Sequence, residues 1–543
     1  MKMNMKKIYK LFISAAVICC PISLTISSCS DTWDEHFDEG AQPSDLTLLD
    51  LVERDEELSD FLEVLRATHV YNNNRPTSVT YADLIGKDQS LTVWAPKNGT
   101  FNKDSILNEC MTQKGDSIIG QHFVGNHIAR TPFDSNQTKS NRITLFNSKK
   151  VNGDNINLED GTLNIPAKNG LLHIINNEIP YSYSIYEAIT STKQFNKFGT
   201  IFRNHESQEL DEYASIPCGI EDGKIIYSDS VLIRTNIFYN VFGQIDCEDS
   251  SYFAILPYEN DWDIAYNEAK QYFNYGSIEK ADSLCDLYSN IKLMEPLFYN
   301  RNLQKHIQDS IFSTRYSIGA PEYNVFYRPL DEGGLLSDTH IADSMDCSNG
   351  KIYMLRQWPF TKEQTYLRPI TTEVENNYYL IDNKDCTLDY RTSLGDSVSN
   401  HGYVTITEKN NKTNWNLTYK IYNNLAASYD VYVVVLPKTV ANPYSRDFKL
   451  NKFKVSVKYP DLEGNMITQN FEGSFTNDPY RVDTIKIGTI TFPVCTYANR
   501  DASVSIIIKS DVGTKTADLR TYSRNMLLDC IYLKPTEEKE DAE

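Results

Sequence analysis

Three histidines are the residues of this chain most suited to acid–base or ligand chemistry. His127 and His306 each precede an isoleucine in two similar stretches, and His173 lies inside the apolar run Leu171–Ile175. An imidazole titrates near neutrality, so it can act as a base, an acid or a metal ligand. A histidine repeated on an apolar segment equally suits a ring hydrogen-bonded to backbone inside a core. The place of His173 is taken by Tyr353 in the second stretch, which argues against a shared catalytic role. Carboxylate pairs such as Asp211-Glu212 are spread through the chain and read as solvated faces. The sequence has no Gly-rich phosphate loop, no HExxH and no G-x-S-x-G elbow. No enzyme is expected from it, and no metal or other cofactor. Aromatic rings offer a different chemistry, because Trp and Tyr stack on the flat C–H faces of sugars while Asp, Asn and Arg bind hydroxyls. Trp415, Tyr497, Arg500, Tyr522 and Arg524 are the candidate ligand contacts. Tyr390, Tyr403, Tyr444, Tyr480 and Asp501 form a wider set around them.

These aromatics fall in a region with period-two patterning. Leu417, Tyr419 and Ile421 alternate with polar residues, as do Phe453, Val455 and Val457 with Lys452, Lys454, Ser456 and Lys458. Further strands are predicted at 429–436, 485–492, 504–508 and 527–533, with polar turns between them. Residues 366–536 are therefore predicted to form an antiparallel β-sandwich, similar in pattern to the jelly-roll, carbohydrate-binding-module-like domains of bacterial surface proteins.

The earlier half is organised differently. Leu91-Thr92-Val93-Trp94-Ala95-Pro96 reads as a buried strand stopped by proline, and Lys97-Asn98-Gly99 as a turn. Helices are predicted over Ser44–Ala67, with Asp55 capping the second of them. A short His127-Ile128 segment follows, then Asn169-Gly170 and another β-run. This order resembles the fasciclin domain. Leu91–Phe101 matches its first signature, Asn169–Asn176 its second, and His127 its central histidine, although Asn126 replaces the tyrosine that usually precedes it. A fainter copy reads Tyr183–Arg203, Tyr252–Pro257, Trp262, His306-Ile307 and Asn349-Gly350–Leu355, with a long loop at Ser317–Asp338. The expected fold class is multidomain: fasciclin-like α+β domains at 44–181 and 182–362, the second divergent, then the all-β sandwich at 366–536 and a charged tail at 537–543.

Lys2, Lys6, Lys7 and Lys10 precede an apolar run that ends in Ile26-Ser27-Ser28-Cys29. This is a signal-peptide pattern, and its end resembles the lipobox of bacterial lipoproteins, which implies lipidation at Cys29 and cleavage after residue 28. The acidic tether at 29–43 resembles the surface-export signal of glycan-foraging Gram-negative bacteria. Eight of the eleven cysteines remain beyond that point, scattered and without metal spacing. A net charge of −20 argues against nucleic acid or an anionic membrane face as partner.

Together these readings predict a non-catalytic lipoprotein, lipid-anchored on the outer membrane and facing outward. It would bind an extracellular glycan or peptide as an accessory of a nutrient-uptake system. The alternative is an adhesion or assembly protein contacting a transporter and its lipoproteins.

Overall fold

The computed structural model describes residues 44–72, 75–300, 311–313, 325–327, 340–393, 395, 397–410, 412–498 and 504–536. Residues 1–43 with Cys29, His306, the expected loop Ser317–Asp338 apart from the strand Val325–Tyr327, which pairs with Ile311–Ser313, and Arg500, Asp501 and 537–543 lie outside the described residues. No helix among the described residues is long and apolar enough to cross a membrane. The chain is a multidomain mixed α/β protein with a β-rich C-terminal region. Its described residues form two compact units, one within 44–147 and 152–180, the other within 148–151 and 181–536.

In the first unit, helix α1 (Leu48–Arg54) starts at Thr47, whose hydroxyl and the Asp50 carboxylate cap each other's backbone. Asp55 then caps a 3₁₀ turn that leads into α2 (Ser59–Ala67), which buries Phe61, Val64 and Leu65. The sheet holds β1 (Leu91–Pro96), β2 (Ile128–Ala129), β3 (Thr162–Ala167) and β4 (Gly170–Ile175) in the order β2-β1-β4-β3. β1 and β4 are parallel, with Leu91 beside Gly170 and Pro96 beside Ile175.

The second unit contains a sheet of the same design. Its strands are β5 (Tyr252–Pro257), β6 (Phe298–Asn300), β7 (Ile341–Cys347) and β8 (Gly350–Leu355), in the order β6-β5-β8-β7. β5 and β8 are again parallel, Tyr252 beside Gly350 and Pro257 beside Leu355. The Asn-Gly pair before each parallel strand explains why the motif repeats. The Asn169 amide accepts from Leu48 N at 2.8 Å and donates to the Ile85 and Lys87 carbonyls at 2.8 and 2.6 Å. Asn349 accepts from Ile185 N at 2.9 Å and donates to the Ile245 and Cys247 carbonyls at 2.8 and 3.2 Å. Each asparagine thus ties the first helix of its motif to the sheet. Gly170 (φ +146°) and Gly350 (φ +157°) pass so close to the facing strand that a Cβ would lie 1.8 Å from the Leu91 or Tyr252 carbonyl oxygen. Only glycine fits there.

The β-rich region stacks two sheets. One has the order β11-β12-β19-β14-β17, with β9 also paired to β19. These are β9 (Ile370–Glu373), β11 (Cys386–Thr392), β12 (Gly402–Glu408), β14 (Ser428–Leu436), β17 (Asp483–Thr491) and β19 (Met526–Pro535). The other has the order β10-β13-β18-β15-β16: β10 (Leu380–Lys384), β13 (Asn416–Ile421), β18 (Val504–Ser510), β15 (Leu450–Pro460) and β16 (Met466–Asn470). Phe475–Thr476 and Tyr522–Ser523 also pair with β15. The predicted alternation is observed: Leu417, Tyr419, Ile421, Phe453, Val455, Val457, Val504, Ile506 and Ile508 are buried, facing Val404, Ile406, Val431, Val433, Leu528 and Ile531. Side chains of this size contribute roughly 1.5–3 kcal/mol each on burial. The same core runs on into the helical part of this unit. Helix α3 (Glu259–Tyr272) buries Trp262, Ala265 and Ala269. The segment after it docks on the sandwich, where Ala426 N donates to Tyr272 O at 2.9 Å and Cys495 N to Asn274 O at 2.6 Å.

Candidate functional site

Strand pairing decides which side chains leave the core together. On β13, Asn416, Thr418 and Lys420 point away from the other sheet. On β18 these are Ser505, Ile507 and Lys509, and on β15 Lys452, Lys454, Ser456 and Lys458. Cross-strand registers arrange them in rows. Asp382, Thr418, Ile507 and Ser456 lie side by side, as do Lys420, Ser505 and Lys458. A cleft of about 780 Å³ opens on this outer face. Its floor includes Thr418, Ser505, Ile507 and Lys458. Its walls are Ile381 and Asp382 on the edge strand, the Asp461–Met466 turn, and Tyr275, Ser277 and Ile278 from the helical part. Asp461 builds that turn by accepting from Glu463 N at 2.9 Å and Asn465 N at 2.8 Å. The turn is held from across the cleft by Ser277 N donating to Leu462 O at 3.2 Å. Size and lining, apolar side chains with a few hydroxyls and charges, are those of a small-molecule or oligomer site.

Tyrosines stand at one end of the same strands. Tyr378, just before β10, stacks on Tyr422, just after β13, at 5.3 Å and 16°, and Tyr379 leans on Tyr422 at 5.7 Å. The Lys420 ammonium lies 4.7 Å from the Tyr422 ring centre. Tyr378 is 67% exposed, so its ring is open to a stacking partner.

Of the five candidate ligand contacts, the four described ones, Trp415, Tyr497, Tyr522 and Arg524, do not form one open site. Trp415 is buried and donates its indole N–H to Arg524 O at 2.6 Å. Arg524 is buried as well. Its guanidinium donates to Asn414 Oδ1 at 3.0 Å and to the Val512 and Gly513 carbonyls at 2.6 and 3.0 Å, and pairs with Glu408 at 3.3 Å. This pair braces strand ends and presents no ring or charge to solvent. Tyr497 is half-buried against Phe273 and Tyr288, with the Lys292 ammonium 5.1 Å from its ring. Tyr522 is half-buried beside the outer face, under the Lys452 ammonium at 5.4 Å. Arg500 lies outside the described residues. In the wider set, Tyr403 is in the core, whereas Tyr444 and Tyr480 are exposed and Tyr480 stacks on Phe448 at 4.7 Å. The Tyr378–Tyr422 stack and the cleft were not singled out from sequence. The alternation of Lys452, Lys454 and Lys458 with core residues was the available signal.

His127 and His173 are structural. His127 is fully buried. Its Nδ1–H donates to Phe123 O at 2.8 Å while Nε2 accepts from Ile179 N at 2.9 Å, and burial pulls its pKa down to about 4. His173 bridges Phe133 O at 2.9 Å and Asn164 N at 3.3 Å and stacks on Trp94. Burial lowers its pKa too.

The carboxylates that do converge sit elsewhere on the sandwich. Ser399 donates its amide to Asp529 at 3.1 Å and its hydroxyl to Glu373 at 2.7 Å, and Asn400 donates to Glu375 at 3.0 Å. One oxygen each of Glu373 and Glu375 is buried without a hydrogen-bond partner. Burial, reinforced by the two neighbouring acids, pushes the pKa of Asp529 up to about 7. Such a set has the chemistry to share a proton or to hold a hard cation. Among the described residues, no group of three ligating side chains is closed to metal-ligand spacing.

No family model matches this chain, and no curated protein matches it. Among solved structures, the CBM22-1 xylan-binding domain from Paenibacillus barcinonensis aligns at 9% identity and a TM-score of 0.22, covering 32% of this chain and 96% of that one. A family 35 carbohydrate-binding module from Clostridium thermocellum aligns at 10% identity and 0.19, over 31% and 99%. An exo-beta-1,3-galactanase from Phanerochaete chrysosporium aligns at 12% identity and 0.18, over 44% and 36%. Likenesses of this depth leave function to the chain's own residues.

Proposed function

We propose that this is a surface lipoprotein, anchored through Cys29, whose two fasciclin-like domains support a C-terminal sandwich that captures a glycan without catalysis, beside an outer-membrane uptake system. The observation that carries the binding part is the outer face of the β10–β16 sheet. It combines a cleft of about 780 Å³ with an open tyrosine stack on the same strands. Sugars need both a flat apolar ring to lie on and hydroxyl partners such as Thr418, Ser505 and Asp382. The fasciclin reading is supported by the two sheets with one topology and the shared Asn-Gly lock. The lipoprotein reading rests on the sequence around Cys29.

Affinity electrophoresis of the full chain through gels carrying single polysaccharides tests the capture. Retardation by at least one glycan, reduced about tenfold in binding strength in a Tyr378→Ala/Tyr422→Ala variant, is expected from loss of a stacking platform worth ~1–1.5 kcal/mol. No retardation across neutral and acidic polysaccharides would sink the capture reading and favour adhesion. Metabolic labelling with a fatty-acid analogue, lost in Cys29→Ala, checks the anchor.

A further inference from the structure

The outer face that carries the cleft has a charge opposite to that of the whole molecule. The chain bears a net −20. Yet the outward positions of the three central strands include Lys420, Lys452, Lys454, Lys458 and Lys509 and no acid. Lys384 adds a sixth ammonium on the edge strand. Among the described residues, four acids border the face. Asp382 lies 3.4 Å from Lys384, Asp511 lies 3.8 and 3.6 Å from Lys452 and Lys454, the Asp461 carboxylate is engaged in its turn, and Glu463 sits on that same turn, accepting from Asn465. Six ammonium groups against four carboxylates leave the described face positive.

This pattern is costly to the fold. Lys454 is directly opposite Lys509 in the antiparallel register. Like charges so placed destabilise a sheet, and a face kept only for solubility would mix both signs. Lysines that guard sheet edges belong on edge strands, whereas β15 and β18 are central. Lys420 and Lys458 are two strands apart in one row, hence about 10 Å between Cα atoms, with Ser505 between them and the cleft along their line. The row is a track of cations interleaved with hydroxyls, and it runs toward the tyrosine stack.

Resting on the glycan-capture reading, we infer that the ligand of this face is an acidic polysaccharide, its carboxylates or sulfate esters paired with Lys420, Lys458 and the Lys454–Lys509 pair and its rings on Tyr378. A nucleic acid would meet the same cations. The threonine and serines between the lysines suit the several hydroxyls of a sugar ring, so a sugar is the better fit of the two.

Calorimetry on the full chain tests this with polygalacturonate and alginate (carboxylate), dextran sulfate (sulfate), neutral dextran and arabinoxylan, and a single-stranded DNA. The expected result is binding to one of the acidic glycans, weakened about tenfold or more in Lys420→Gln/Lys458→Gln and by raising salt from about 50 to about 300 mM. Lys139→Gln, on the other unit, should match wild type. The carboxylate and sulfate arms identify which acid is read. Neutral glycans bound as tightly as acidic ones, with the lysine variant unaffected, would overturn this inference and leave glycan capture standing. No binding to any glycan would overturn capture itself. DNA bound as tightly as the best acidic glycan, and lost in the same variant, would overturn the assignment to sugar.

Discussion

Asp529 and His127 are both buried ionisable groups, yet they respond to pH in opposite directions. The folded-state pKa of Asp529, about 7, is raised above its ordinary value. Between pH 4 and 7 the folded carboxyl keeps its proton while the unfolded one has lost it. Stability from this site therefore falls as pH rises through that window, by at most about 1.4 kcal/mol per unit. Asp529→Asn should remove that slope and raise the urea midpoint at pH 8. A variant that keeps the wild-type pH slope would contradict the raised pKa of Asp529. His127, with its pKa near 4, stays neutral when folded, whereas the unfolded ring gains a proton below about 6.5. Its site loses stability as pH falls from 6.5 to 4, by roughly 3 kcal/mol in all. His127→Gln should be less stable at pH 7 and should flatten that acid limb in urea melts. A variant with the wild-type limb would refute the assignment. The sequence could suggest that this histidine is structural, because it lies on an apolar segment. It could not show that Trp415 and Arg524 close on each other, because that pairing joins residues 109 positions apart.

Parallel pairing makes Gly350 a sharper test of the repeated motif than any apolar residue. Gly350→Ala places a methyl 1.8 Å from the Tyr252 carbonyl. Its cost should exceed about 3 kcal/mol and be measurable as a large drop in Tm. Gly223, at positive φ (+76°) with open space around it, should cost only about 1 kcal/mol on the same change. Equal effects at the two glycines would contradict the close approach. The strands, the Asn-Gly turns and the alternation of the sandwich were legible because period and turn chemistry are local. A long hairpin was not. Glu206–Leu210 pairs with Leu232–Asn236 and Ile216–Glu221 with Lys224–Asp229, leaving Ile216, Ile220 and Leu232 exposed. Its apolar residues have no core to face, so they give no burial pattern to read.

Across the whole molecule, composition pointed to an acidic protein, and the folded chain sorts that charge unevenly. Strand alternation sends Val455 and Val457 inward, and so it gathers the intervening lysines on one outer face. The lysines were visible in the sequence as polar partners of core residues. Their meeting with Lys420 and Lys509 depends on a strand order, β13-β18-β15, that brings residues 420, 505 and 458 into one row. Residue type and nearness in sequence link Trp415, Tyr497, Tyr522 and Arg524, but sheet topology spreads them between core and surface. The proposed capture places ligand on this outer face. Carbene footprinting of the full chain, saturated with the tightest-binding polysaccharide of the panel, measures it directly. Protection centred on residues 416–422, 456–464 and 505–509, with exposed positions of the first unit such as Met111 unchanged, is the predicted result. Protection confined to any other surface, with these segments labelled as in the free protein, would contradict it.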